Sequence, residues 1–462
     1  MAADPVFVRS EDTSVLPREF DRPYPLIERG EGVWLYDTAG TGYLDAISGG
    51  AMVTTLGYGI TEVIEAGRQQ AERVPFVYNQ QFTSPAQEQL AREVVEIAPS
   101  GFTRVHFVSG GSEGNETALR LARSYHCERG HTERTRIISP AQAYHGPTMA
   151  TFSLTGRPAM VHPYESYLTS HLHVAPSTWR FDPTGEAALA ELDQRLQEAG
   201  PQNVSAFFCE PISAAALPAY SPPERFWHGL DERRREHGFL IIFDEVVTGM
   251  GRTGTWFAAN QLPIDPDIIV TSKGLGAGYF PVGAVICRRE IYEAIAAGSR
   301  NFEPGHTWNG APMPCAVGSA VIAYLREHRL IERVAERGPS VRDELAAAVE
   351  GCEMVREVRG RGFLFGVEYV DPRDGESFLN PELAVARRID YEALERGLLT
   401  YSTQPTADGY AGDQTLLAPA FVASDDELGM IAKRLGATVR AVEAWVKGQL
   451  AGSQMAVTGR GN

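Results

Sequence analysis

The sequence has little cysteine, no concentration of basic charge and no long apolar run, and each absence closes off a class of function. Five cysteines (Cys127, Cys209, Cys287, Cys315 and Cys352) lie scattered along 462 residues. An odd number without paired spacing fits neither a disulfide frame nor a zinc site, so free thiols in a reducing compartment and no bound metal are expected. The formal net charge is −17 and the pI is near 5.2. That is the wrong sign for a nucleic-acid partner, which calls for a basic face. The short run Arg233-Arg234-Arg235 closes a helical pattern, where cations complement the helix dipole. No window is long and apolar enough to span a bilayer, so no membrane partner is expected. The first residues, MAADPVFVRSED, lack a cationic stretch leading into an apolar one. A cytoplasmic location is expected.

The apolar fraction of 43% and charged fraction of 22% are those of an ordinary globular chain. Its length exceeds what one core usually organises, which predicts two lobes. Residues 1–75 are expected to contribute to a smaller lobe, 76–330 to form a large one, and 331–450 to complete the small α+β lobe. Residues 451–462 read as a solvated tail.

Periodicity changes along the chain. GVWLYDTAGTGYLDAISGG (Gly32–Gly50) alternates apolar and polar residues about a Gly/Thr turn and predicts a β-hairpin. A helical period follows over Gln87–Ala98. In the middle third, Arg104–Ser109, Val204–Glu210, Phe239–Glu245, Asp267–Ser272 and Pro281–Cys287 are short, nearly continuous apolar runs separated by helical patterns. Buried strands alternating with helices predict an α/β fold with a mostly parallel sheet. Ligands in such sheets gather at the carboxyl ends of the strands. Ser109, Glu210, Asp244 and Ser272-Lys273 become candidates on that ground. Further on, a helix around Val341–Val349, two strands in MVREVRGRGFLFGVEYV, a helix over Pro381–Arg396, a strand near Gly397–Tyr401 and a final helix over Ser424–Lys447 are predicted.

Three strand ends carry chemistry. Gly110-Gly111-Ser112 joins a strand to a helix, whose free N–H groups and positive dipole end suit a phosphate; the plainer alternative is an N-cap serine. Asp244-Glu245 ends a strongly apolar strand, and Asp244 is placed to hold a protonated ring nitrogen. For Glu245 a structural cap or a pair with Arg252 serves as well. Lys273 lies between a buried strand and a glycine-rich turn, where burial turns an amine into a nucleophile. Snorkelling to solvent is the even-weighted alternative.

In the motifs GVWLYDTAGTGYLD, SGGSEGNETALRLAR, YHG (Tyr144–Gly146), CEPI (Cys209–Ile212), DEVVTGMGRTG, TSKGLGAG and GHTWNGAPMPCA, the chain resembles the class III aminotransferases. These are pyridoxal 5'-phosphate enzymes of fold type I. The resemblance implies a large domain with a mostly parallel sheet, a smaller α+β domain, and a homodimer or dimer of dimers with shared active sites. Carried over position by position, Gly111 and Ser112 would bind the cofactor phosphate, and Tyr144 would stack on the ring. Val246 would pack on the other face and Asp244 would pair with the ring nitrogen. Lys273 would hold the cofactor as a Schiff base and shuttle a proton. Thr307 would reach the neighbouring subunit's phosphate. Substrate contacts would come from Met52, Tyr78, Phe82, Glu210 and Trp308, with a small-molecule amino donor and an oxo acid as partners. His145 and His306 receive no role.

Two departures bear on substrate. Val247 stands where many members have Gln. Thr400, Tyr401 and Ser402 stand where several members have an Arg that binds a carboxylate and pairs with the residue matching Glu210. Arg157 and Arg300 are candidate substitutes. The leading expectation is an aminotransferase acting on a primary amine or ω-amino compound with pyruvate as acceptor. A decarboxylase, a racemase or epimerase, and an aminomutase share the motifs; a non-catalytic binding protein ranks below them, since Lys273 and Asp244 are both present.

Overall fold

The structure is a computed structural model that describes residues 7–176, 178, 180, 182–407 and 411–458, with side chains described to residue 451. A first antiparallel set comprises β1 (Ile27–Glu31), β2 (Trp34–Asp37) and β3 (Gly42–Asp45). The hairpin predicted over Gly32–Gly50 is β2–β3, turning where Gly40 takes φ +84°. Helices α1 (Thr61–Arg73) and α2 (Pro85–Ile97) follow. Ser84 caps α2 through the Gln87 amide, with Pro85 opening the helix.

The central sheet is built from β4 (Phe102–Val108), β5 (Arg136–Pro140), β6 (Leu172–Val174), β7 (Val204–Cys209), β8 (Leu240–Asp244), β9 (Ile268–Thr271) and β10 (Gly283–Arg288). Their order across the sheet is β4-β10-β9-β8-β7-β5-β6. β10 runs against both its neighbours; every other strand points the same way. β7, β8 and β9 are buried at every position because helices cover both faces, so their residues are apolar throughout rather than alternating. The covering helices include α3 (Gly111–Glu128), α4 (Glu186–Ala199), α5 (Glu224–His237), α6 (Arg289–Ala297) and α7 (Pro312–Glu327). The basic triplet closes α5 and is neutralised by Asp193, Asp231 and Asp267. The short strands β5 and β6 escape the periodicity reading because each is embedded in polar sequence.

After α8 (Leu330–Ala348), β11 (Val355–Arg361) and β12 (Leu364–Tyr369) form the expected pair. Helix α9 (Val385–Glu395) leads to β13 (Leu398–Leu399) and β14 (Tyr401–Thr403), and β15 (Asp413–Leu417) completes a sheet in the order β11-β12-β15-β14. The single strand expected near Gly397–Tyr401 is thus two. β13 joins β3 in parallel, while β14 turns away to pair with β15. Chain from both ends of the sequence therefore meets in one sheet. The last helix, α10 (Asp425–Thr458), continues beyond the boundary expected at residue 450, and residues 459–462 of the expected tail lie outside the described ones. All five cysteines are free, and four are buried. Among the described residues no helix is long and apolar enough to cross a membrane, and no group of three or more His, Cys, Asp or Glu gathers as a metal site.

Candidate active site

The parallel strands all deliver their carboxyl ends to one edge of the sheet, and a cavity of about 1300 Å³ opens there. β4 runs into Gly110 and α3, β5 into the Tyr144 loop, β7 into Glu210, β8 into Asp244 and β9 into Ser272-Lys273. Residues far apart in sequence become neighbours for this topological reason.

Gly110 has no side chain to cap α3, and Gly111, Ser112 and Asn115 of its first turns line the cavity. Two close approaches shape this corner. A Cβ on Gly111 would lie 2.8 Å from both Val246 methyls, and one on Gly146 (φ +129°) would lie 2.3 Å from Ser112 Oγ. Only glycine lets the Tyr144 loop and the Val246 turn pass so near the helix end.

Asp244 is 5% exposed. Its Oδ2 accepts Asn115 Nδ2 at 2.7 Å and stands 2.8 Å from His145 Nδ1, while Oδ1 accepts the Val246 amide at 3.0 Å. His145 lies edge-on to Phe208, with ring centroids 4.7 Å apart. The histidine set aside as structural thus bonds to the carboxylate at the base of the cavity. Asn115 and His145 are the residues the motif reading missed; Asn115 sits one helical turn beyond Gly111, a spacing that puts both on one face of α3.

Glu245 points the other way. Its carboxylate accepts the Ala258 and Ala259 amides and the Thr248 hydroxyl, the structural-cap alternative. Arg252 does not pair with it, donating instead to the Phe363 and Pro419 carbonyls and Ser48.

Lys273 follows Ser272, whose hydroxyl is fixed on the Val282 carbonyl at 2.9 Å. Its side chain lines the cavity, and among the described residues no hydrogen bond or ion pair engages its amine. Burial pulls the amine down to about 8, opposed by the carboxylates of Asp244 and Glu210 and aided by Arg252. A further signal for this residue lies in composition: the chain has only three lysines, and the other two, Lys433 and Lys447, sit on α10.

Glu210 lines the cavity beside them. It accepts Ser213 Oγ at 3.2 Å and the Ala214 amide at 3.1 Å, with the Tyr144 amide at 3.4 Å. Backbone and serine donors thus engage it without an arginine. Burial raises it to about 7, against the pull of His145 and with the push of Asp244. At the junction of β13 and β14, Asp390 of α9 accepts Thr400 Oγ1 and Ser402 Oγ, each at 2.8 Å, and the Ser402 amide at 3.0 Å. The junction between β13 and β14 is tied down by a carboxylate in place of presenting a cation.

Of the remaining predicted residues, Met52, Tyr144, Val246 and Val247 line the cavity. Tyr78, Phe82, Thr307 and Trp308 do not; all four are exposed, Phe82 at 62% and Trp308 at 54%. Arg157 lines the cavity, whereas Arg300 is exposed and outside its lining. The wall also carries the apolar and aromatic Met149, Phe152, Met160, Tyr164 and Tyr401, with Arg18, Arg22 and Arg387 among its less buried residues and the last two paired with Glu19.

The model of the class III aminotransferase family matches residues 15–439. The chain is 35% identical over 438 residues to an uncharacterized aminotransferase of Bacillus subtilis, covering 93% of this chain and 98% of that one. It is 32% identical to the putrescine–pyruvate aminotransferase of Pseudomonas aeruginosa, covering 91% and 93%. The crystal structure of a transaminase from the marine bacterium Virgibacillus superposes with a TM-score of 0.88 at 29% identity, covering 95% and 98%. With a family match across nine-tenths of its length, a mostly parallel central sheet of fold type I and a lysine and an aspartate facing one cavity, the chain belongs to the class III aminotransferases and is a pyridoxal-phosphate-dependent enzyme.

Proposed function

We propose that the enzyme moves an amino group from a primary amine or ω-amino compound to an oxo acid, pyruvate being the better fit, with Lys273 bonded to the cofactor as its Schiff-base lysine. The observation that carries this reading is the composition of one cavity: an unpartnered Lys273 amine, a buried Asp244 and an uncapped helix end, in a wall that is part apolar and aromatic and part charged.

The residues fit pyridoxal phosphate. Its phosphate dianion suits the N-terminus of α3 at Gly111 and Ser112. Its protonated ring nitrogen suits Asp244, which Asn115, His145 and the Val246 amide hold in place. Tyr144 and Val246 both line the cavity beside that carboxylate and are suited to hold the ring between them. When bound, the cofactor supplies an electron sink. Lys273, with a lowered pKa, serves as the base that takes a proton from the donor carbon and returns it elsewhere. Val247 brings no hydrogen-bond donor to the phenolic oxygen.

The substrate class follows from the wall. A donor carboxylate against the apolar part of the wall bears a desolvation cost unless a cation meets it, and the Thr400 and Ser402 side chains, tied to Asp390, offer none. With pyruvate as acceptor, kcat/KM for 1-aminobutane or an arylalkyl amine is expected to exceed that for 4-aminobutanoate. A large preference for a dicarboxylic amino donor, or for 2-oxoglutarate over pyruvate, would overturn the substrate reading. Formation of equal amounts of a new amine and a new carbonyl compound separates transamination from decarboxylation, epimerisation and amine migration.

The active form is proposed to be a homodimer or a multiple of it. Phe76 and Trp308 meet at 5.0 Å, edge to face, on an exposed surface that also holds Tyr78, Phe82 and Thr307. An aromatic surface of this kind marks an interface. Two copies joined here would bring Thr307 to the second cavity. Thr307→Ala is then expected to weaken cofactor retention, since a hydrogen bond to a charged group contributes about 1.5–3 kcal/mol. Dialysis followed by the visible absorbance reads the loss, and a fully active monomer on sedimentation would remove the proposal.

A further inference from the structure

We propose that Arg157 is the residue that binds the carboxylate of the oxo-acid acceptor, in place of the arginine absent from Thr400–Ser402. The inference rests on the transaminase reading above and adds to it the identity of the acceptor-binding group.

Arg157 precedes a short helix, Pro158–Val161, and its side chain lines the cavity while remaining only 5% exposed. A guanidinium carries five donors. Here Nη2 donates to the Pro405 carbonyl at 2.7 Å, and Nε is buried without any partner. Among the described residues no carboxylate forms an ion pair with it. Glu210 is close enough to be felt electrostatically, as is Tyr401. Glu210 is nonetheless engaged with Ser213, Ala214 and the Tyr144 amide, and does not close on the arginine.

A buried cation without a counter-ion is costly; unlike the likewise buried Arg252, Arg157 lines the cavity, where an entering anion would supply one. The planar fork of arginine matches a carboxylate in two parallel bonds. Glu210, Arg157 and Lys273 all line the one cavity. A small oxo acid held in that cavity would set its carboxylate on Arg157 and turn its carbonyl carbon toward Lys273. The Pro405 contact anchors Arg157 from the segment just after β14, so the guanidinium is held at the wall when no acceptor is bound. A donor amine without a carboxylate makes no demand on it. The same pocket thus admits an apolar donor and an anionic acceptor in turn.

The two half-reactions separate this role from a structural one. Holoenzyme mixed with 1-aminobutane reports the donor half through the cofactor's visible absorbance. The aminated enzyme is then mixed with pyruvate or with butanal, an acceptor that has no carboxylate. For Arg157→Gln the donor half is expected to change less than about twofold, and kcat/KM for pyruvate to fall about 10- to 100-fold, the scale of a lost charged hydrogen bond. The rate with butanal is expected to stay as in the wild type. Arg157→Lys keeps the charge without the fork and is expected to recover part of the pyruvate rate. Equal losses with pyruvate and butanal, or no loss with pyruvate, overturn the proposal. Should Arg157→Gln fail to fold, the wild type and Arg157→Lys decide through inhibition of the pyruvate reaction by butanoate against butanamide. Butanoate must inhibit the wild type more strongly, by a margin that shrinks in Arg157→Lys; equal inhibition overturns the assignment. A wild type that converts no amine would sink the transaminase reading, whereas calorimetric binding of butanoate would still test Arg157.

Discussion

Lys273→Ala is expected to lower turnover by about a thousandfold or more, because the variant loses both the attachment to cofactor and the base that moves the proton. Cofactor is still expected to bind, through the α3 terminus and Asp244, so a visible spectrum without turnover is the outcome that fits. Borohydride reduction of the wild type should fix the cofactor to the peptide containing Lys273. The pH dependence carries a definite sign. Burial lowers this amine to about 8, and only its neutral form is nucleophilic. The rate at which cofactor-free protein captures pyridoxal phosphate should therefore rise about tenfold per pH unit below pH 8 and level off above it. Normal turnover in the alanine variant would remove Lys273 from the mechanism.

The second large effect falls on Asp244. An asparagine there keeps the shape but turns one accepting oxygen into a donor, and no longer balances a protonated ring nitrogen. Turnover of Asp244→Asn is expected to drop about 10²- to 10³-fold, the range seen when one preorganised electrostatic group is removed. His145→Gln should cost about tenfold, since Asn115 and the Val246 amide continue to hold the carboxylate. A positioning role for His145 predicts a shift in the pH profile of the cofactor's visible band; a purely structural one predicts a lower melting temperature with the band unmoved. Full activity in Asp244→Asn would exclude the pairing.

Much of the site was legible because its chemistry sits at strand ends. Apolar runs ending in Asp244, Glu210 and Ser272-Lys273 mark buried strands whose polar final residues face a common edge. What stayed hidden is what depends on approach between distant segments. His145 looked structural because nothing in its local sequence reveals that β8 brings Asp244 to 2.8 Å from its ring. Arg157 and Arg300 were equivalent candidates, since no period distinguishes a buried loop arginine from an exposed one. The strand near Gly397–Tyr401 divided because Thr400 and Ser402 are pinned by Asp390 on a helix ten residues earlier.

The sequence alone determined the family, the α/β class and which residues end the strands, since these follow from ordered motifs and from apolar runs bounded by turns. Tertiary structure decided which strand ends share a cavity, that Glu245 caps Ala258–Gln261 while its neighbour Asp244 faces inward, and that Asp390 ties down Thr400 and Ser402. The physical reason is range. Hydrophobic periodicity and turn chemistry act within a few residues, whereas burial, charge balance and close approach arise only when segments such as Arg157 and Pro405 are packed together.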